Sequence, residues 1–222
     1  MESSADKVNA VRVRSFVPGD REAVRQIALS TAMMGNPADI FFDGGDVLAD
    51  ALTSYFTDHE PGSSFVAESD GRVVGYIIGA RDTRAMDVFF QKRLLLPLLG
   101  KVITSGLLLR RKNLYLMVQF IKAVLTGRMQ IPDFYSEYPA TLHINLVAQA
   151  RGTGAGGQLM DRYLEYLKAQ GICGVRMATM SEAAGKFFES REFKVLYRSS
   201  RPYFHHIIGR DVPLLIYGRK LT

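Results

Sequence analysis

Apolar residues recur along the chain with two periods, and the order of those periods is the first clue to its architecture. Residues 11–16 alternate apolar and polar positions, as a half-buried strand does. Pro18-Gly19-Asp20 is predicted to cap a helix whose apolar face is Val24, Ile27, Ala28 and Thr31. Asp46 is predicted to cap a second helix, with Val47, Leu48, Ala51, Leu52, Tyr55 and Phe56 at helical spacing, and His59-Glu60-Pro61-Gly62 ends it. Residues 64–80 are strand-like on both sides of Asp70-Gly71, a strong two-residue hairpin turn. Two helical patterns follow, 86–99 and 114–125, the second predicted to start at a cap on Asn113 and to stop at Gly127. Residues 142–147 then read as a central strand, 158–170 as a helix burying Leu159, Met160, Tyr163, Leu164 and Leu167, and 175–178 as a further strand. A helix over 182–190 and strands at 194–198 and 214–217 complete the pattern.

Between the strand 142–147 and the helix 158–170 stands Arg151-Gly152-Thr153-Gly154-Ala155-Gly156-Gly157. A glycine-rich turn in that position aims several backbone N–H groups at one spot, beside the positive end of the helix dipole, and such a spot binds phosphate. Two common phosphate sites do not fit. The NTPase loop needs Lys and then Ser or Thr after its last glycine, whereas Gln158 and Leu159 follow here. Gly152, Gly154 and Gly157 match dinucleotide spacing, but too little chain remains after them for a complete dinucleotide domain.

Read as Arg-x-x-Gly-x-Gly, with Arg151, Gly154 and Gly156, the segment resembles the acyl-coenzyme A loop of the GNAT (GCN5-related N-acetyltransferase) superfamily. Ser181-Glu-Ala-Ala184-Gly-Lys-Phe187-Phe188-Glu-Ser-Arg-Glu192-Phe193 resembles the second motif of that family, and Phe65 to Ile78 resembles its strand–turn–strand hairpin. The resemblance implies an α/β fold with a mixed, mostly antiparallel central sheet flanked by helices, in one domain spanning 1–222. More than fifty residues, 82–138, stand where the family passes quickly from the third strand to the fourth, and they are expected to form a helical insertion.

By the same resemblance the cosubstrate is acetyl-CoA and the acceptor a primary amine of a small molecule or peptide. The N–H groups of Gly152, Thr153, Gly154, Ala155, Gly156 and Gly157 would hold the pyrophosphate, with Arg151 shaping the loop and Gly154 and Gly156 leaving room for the ligand. Leu146 and Val147 would pair with the pantetheine arm, Ser181 would cap its helix, and Ala184, Phe187 and Phe188 would lie beneath the cosubstrate. Two departures bear on the chemistry. Phe188 replaces a tyrosine that in many members protonates the leaving sulfur, and a phenyl ring donates no proton. Glu192 replaces a glycine. His143, on the strand before the loop, is the candidate general base, since a histidine can take a proton at neutral pH, with Asn145 on the same side. Asp133, Tyr135 and Glu137 are further candidates for holding the amine. A non-catalytic acyl-CoA-binding or sensing module is the alternative function.

Charge singles out the insertion. Residues 84–130 carry nine Lys or Arg and one acid, Asp87, a net +8 that leaves −2 for the rest of a chain whose total is +6. Its leucines could cover the sheet, form an acceptor wall, meet a second copy in a homodimer, or touch an anionic membrane surface. Its cations are interleaved with aliphatic residues, so nucleic acid is not an expected partner. The lone cysteine, Cys173, excludes an internal disulfide, suits a reducing cytoplasm and is expected to be buried. No secretory signal or spanning segment is read from the sequence. His205 and His206 would point to opposite faces of an extended segment, and no metal site is expected.

Overall fold

The computed structural model describes residues 10–221. Seven strands form one sheet: β1 (Arg12–Ser15), β2 (Ser64–Ser69), β3 (Arg72–Ala80), β4 (Ala140–Leu146), β5 (Gly174–Thr179), β6 (Lys194–Arg201) and β7 (Val212–Lys220). Their order across the sheet is β1-β2-β3-β4-β5-β7-β6, antiparallel everywhere except between β4 and β5. The β2–β3 hairpin turns where predicted. Asp70 and Gly71 both take positive φ, 51° and 72°, as a type I′ turn requires.

The sheet buries both faces. On one side Phe65, Ile77 and Leu142 pack against Leu159, Met160 and Tyr163 of α6 (Ala155–Ala169) and Phe188 of α7 (Glu182–Glu189). On the other, Val66, Tyr76 and Ile78 meet Val24, Ile27 and Ala28 of α1 (Arg21–Thr31), together with Tyr55 and Phe56 just beyond α2 (Gly45–Ser54). Tyr76 and Ile78 go one way and Ile77 the other because strand side chains alternate. Asp20 precedes α1 as expected, but its carboxylate does not cap the helix. It accepts from Val17 N–H and pairs with Arg14, which holds its pKa below the usual carboxylate range. Asp46 likewise falls within the first turn of α2, and Gly44 stands at the cap position.

The insertion is helical: α3 (Thr83–Phe89), a π turn at Phe90–Leu94, α4 (Leu95–Thr104) and α5 (Arg111–Leu125). Asn113 does not cap α5. It lies inside the helix, 2% exposed, where Oδ1 accepts from Asp43 N–H (2.8 Å) and Nδ2 donates to the carbonyls of Asp43 (2.7 Å) and Leu107 (3.0 Å). The residue thus ties the insertion to the loop before α2. Gly127 ends the helix with φ 69°. Cys173 is exposed, contrary to expectation, because it sits in the turn between α6 and β5.

Candidate active site

β4 and β5 are bonded in register at only two positions, Ala140↔Val175 and Thr141↔Arg176, and then part. The closed end is locked by Tyr163 of α6, whose hydroxyl donates to Thr141 O at 2.7 Å. Gly79 makes that reach possible: a Cβ there would lie 2.0 Å from the tyrosine oxygen. Beyond Thr141 the strands open as a wedge toward the glycine-rich loop.

On the far side β4 stays paired to β3, and Val147 N–H donates to Val74 O at 2.9 Å. Backbone groups alternate along a strand, so the N–H groups of Ile144 and Leu146 turn the other way, into the wedge. Leu146 and Val147 therefore divide: the first offers its amide to the gap, while the second has committed its own to the sheet.

At the wedge mouth Gly154 adopts φ 89° and forms the N-cap of α6 without a side-chain cap. A Cβ on Gly154 would meet nothing within 4 Å, so the space above it is open. Helix geometry leaves the N–H groups of Gly156 and Gly157 without intrahelical acceptors. Thr153 steadies the turn, its Oγ1 donating to Ala150 O (2.8 Å) and accepting from Ala155 N–H (3.4 Å). Gly152 also takes positive φ, 78°. A Cβ on Gly156 would lie 3.1 Å from Leu146 and 3.6 Å from Phe187, so Gly156 packs closely beside the wedge, while one on Gly157 would meet only the flexible end of Arg191. Arg151 shapes the loop by donating to Leu146 O (3.4 Å) and Gly35 O (3.3 Å).

Ser181 caps α7 by accepting from Ala184 N–H at 3.3 Å. The two phenylalanines separate. Phe187 borders the loop glycines, while Phe188, 3% exposed, is enclosed by Phe187, Phe193 and Tyr217 at 5.2–5.9 Å between ring centres. Phe188 is a core residue, and Ala184 and Phe187 are half-buried at its margin. Glu192 takes φ 64°, the conformation for which the family glycine is suited.

His143 stands two residues beyond Thr141, at the apex of the wedge and on the α1 side of the sheet. Its ring is solvent-accessible, yet the surrounding protein lowers its pKa by desolvation. The ring meets Phe56 edge-on at 5.7 Å, and its nitrogens have no hydrogen-bond partner among the described residues. Asn145, next on the same face, donates from Nδ2 to the Tyr76 hydroxyl at 2.7 Å, and burial pushes the Tyr76 pKa up to about 12. Tyr76 was not singled out from sequence, where it is one apolar position among many.

Three other candidates are engaged elsewhere. Asp133 pairs with Arg84 (3.5 Å), Glu137 with Lys220 (2.8 Å), and Tyr135 donates to Asp87 (2.6 Å) between the guanidinium groups of Arg84 and Arg176. All three precede β4, away from the wedge mouth, and fasten the insertion. His205 and His206 occupy a short helical turn and not an extended segment; His205 pairs with Asp211 at 2.9 Å and His206 lies against Tyr115. Two surface cavities of about 370 Å³ flank His59 and include neither His143 nor the loop. The one beside α4 is crossed by Arg21–Asp58 and Lys101–Asp50 pairs, a seam between α2 and the insertion.

No family model matches the chain. Solved structures do. SsHAT is 25% identical and superposes with a TM-score of 0.72, covering 96% of this chain and 100% of its own. The yncA protein of Salmonella typhimurium, solved with its cofactor acetyl-CoA, is 15% identical with a TM-score of 0.58, covering 96% and 95%. The polyamine N-acetyltransferase of Drosophila melanogaster, which catalyses formation of N-acetylagmatine, is 14% identical with a TM-score of 0.58, covering 95% and 100%. At their identities the last two speak for the fold.

Proposed function

Because the chain is a GNAT-superfamily protein by fold and by the order of its motifs, we propose that it is an N-acetyltransferase that moves an acetyl group from acetyl-CoA to a primary amine. The observation that carries this reading is the wedge. Two parallel strands part after Thr141, and the gap leads to an uncapped helix N-terminus behind a glycine turn. An extended pantetheine arm fits between such strands, where the N–H groups of Ile144 and Leu146 supply donors. The diphosphate fits the loop amides, whose partial positive charge adds to that of the α6 dipole.

In the reaction the amine nitrogen attacks the thioester carbon, the C–N bond forms and the C–S bond breaks. Coenzyme A leaves as a thiolate that must take up a proton, and the amine must lose one. Holding both reactants in one site makes direct attack efficient. Cys173, in the turn before β5 and away from the wedge mouth, is not placed to carry the acetyl group, which favours a ternary complex. His143 is assigned as the base: it is unpartnered, stands at the wedge apex, and its pKa is lowered by desolvation, which favours the proton-accepting form. Phe188 cannot supply the leaving group's proton, so solvent at the open wedge does.

The test is release of coenzyme A thiol from acetyl-CoA in the presence of a panel of amines. The reading expects release that depends on one class of primary amine. Saturable acetyl-CoA binding without turnover on any amine would make the protein a binding module instead.

A further inference from the structure

Fourteen of the seventeen exposed large apolar side chains among the described residues lie between Val88 and Ile131, within or beside the insertion. They are ordered. On α5, Leu114, Val118, Ile121 and Leu125 follow one another at spacings of four, three and four, one helical face, and are 48–81% exposed. On α4, Leu96, Leu99 and Ile103 form a second such stripe. What these helices bury is meagre: Leu98 from α4, and Asn113 and Ala123 from α5. α5 turns Asn113, Ala123 and part of Leu116 toward the protein but most of its aliphatic residues toward solvent, largely the reverse of a helix that covers a core.

The charge around the stripes selects what covers them. Of the nine cations in residues 84–130, Arg84, Lys101 and Lys112 form ion pairs, and the other six form none among the described residues. Arg110 and Arg111 stand at the positive end of the α5 dipole with no acid in the first turn, an arrangement that destabilises the helix unless an anion faces it. A second copy would set the same unpaired cations against one another, so charge opposes self-association through this face. The exposed set is chiefly aliphatic, whereas protein-binding surfaces favour aromatic anchors. No helix among the described residues is long and apolar enough to cross a membrane, so contact with a bilayer is at its surface.

We propose that the insertion is a peripheral membrane-binding element. The aliphatic stripes of α4 and α5 enter the boundary between headgroups and acyl chains of an anionic bilayer, and the unpaired Lys and Arg side chains engage its phosphates and carboxylates.

Sedimentation of the full chain with phosphatidylcholine vesicles, with and without phosphatidylserine, tests this. The chain is expected to pellet with the anionic vesicles and to be released by salt. The Lys92→Gln/Arg93→Gln variant should weaken that partition by about 25-fold, at roughly fivefold per charge. The Ile121→Glu/Leu125→Glu variant should lose it while keeping the wild-type circular dichroism and Tm, since both side chains are exposed. Absence from the anionic pellet, or pelleting unaffected by either variant, overturns the proposal. So does light scattering that shows a dimer converted to monomer by Ile121→Glu/Leu125→Glu, because a second copy would then be the occupant.

Discussion

On the proposed reading His143 is the base, and its environment sets a sign that can be measured. Desolvation by the surrounding protein disfavours the imidazolium, so the folded pKa lies below 6.5. The stability contributed by the neutral ring is therefore present above that value and is lost as pH falls through the folded pKa. Activity follows the same direction: kcat/KM should decline on the acid side as the ring takes up its proton. His143→Gln should lower kcat by about a hundredfold or more, the usual contribution of a positioned base, and should remove that limb from the pH profile. An unchanged limb in the variant would assign the base elsewhere. Glu192 supplies a second prediction. An L-residue at φ 64° costs about 1–2 kcal/mol relative to glycine, partly offset here by pairing with Arg219. Glu192→Gly should leave the midpoint of chemical denaturation unchanged or raised, and a loss above about 1 kcal/mol would contradict the strain argument. Glu192 was legible as a departure because the motif expects glycine at its position. The separation of Phe187 from Phe188 was not, since adjacent aromatic residues do not reveal which ring the tertiary packing draws inward.

At the scale of elements, periodicity located α1, α6 and α7 because each carries a one-sided apolar pattern that matches what it buries, and it located the strands as short apolar runs between turn residues. The insertion shows where that logic inverts. Its apolar positions predicted helices correctly, but in α5 they mark the outer face, and the residue that binds the helix to the protein is an amide. Asn113 looked like a cap because Asn favours that position; its partners Asp43 and Leu107 are long-range, or carry no local signal. Asn113→Ala leaves the Asp43 and Leu107 groups without it in a buried site, which costs about 1–3 kcal/mol. For a domain of this size that corresponds to a Tm lower by roughly 3–10 °C in a thermal melt. A change smaller than about 1 °C would show that the clamp is dispensable. The loop glycines divide by a similar logic: open space above Gly154, against Leu146, Phe187 and Arg191 crowding Gly156 and Gly157, is a property of three elements together.

For the whole molecule, the order of motifs implied the mixed sheet, and the strand order with its single parallel junction agrees. Spacing alone did not show that β4 and β5 share just two register positions, nor that Gly79 admits Tyr163 to the closed end. Less legible still is the cluster of Met33, Ala38, Phe41, Phe204 and Val212, which joins distant parts of the chain that share no periodicity. The claim beneath the rest is that the wedge and the loop amides hold acetyl-CoA. Isothermal calorimetry of acetyl-CoA with the wild-type chain and with Gly154→Val tests it most directly. A β-branched side chain at φ 89° is strained by about 1–2 kcal/mol and would re-aim the amides. The account predicts saturable heat for the wild type and binding about tenfold weaker or worse for the variant. No heat from the wild-type protein, or equal affinity in both, would contradict it.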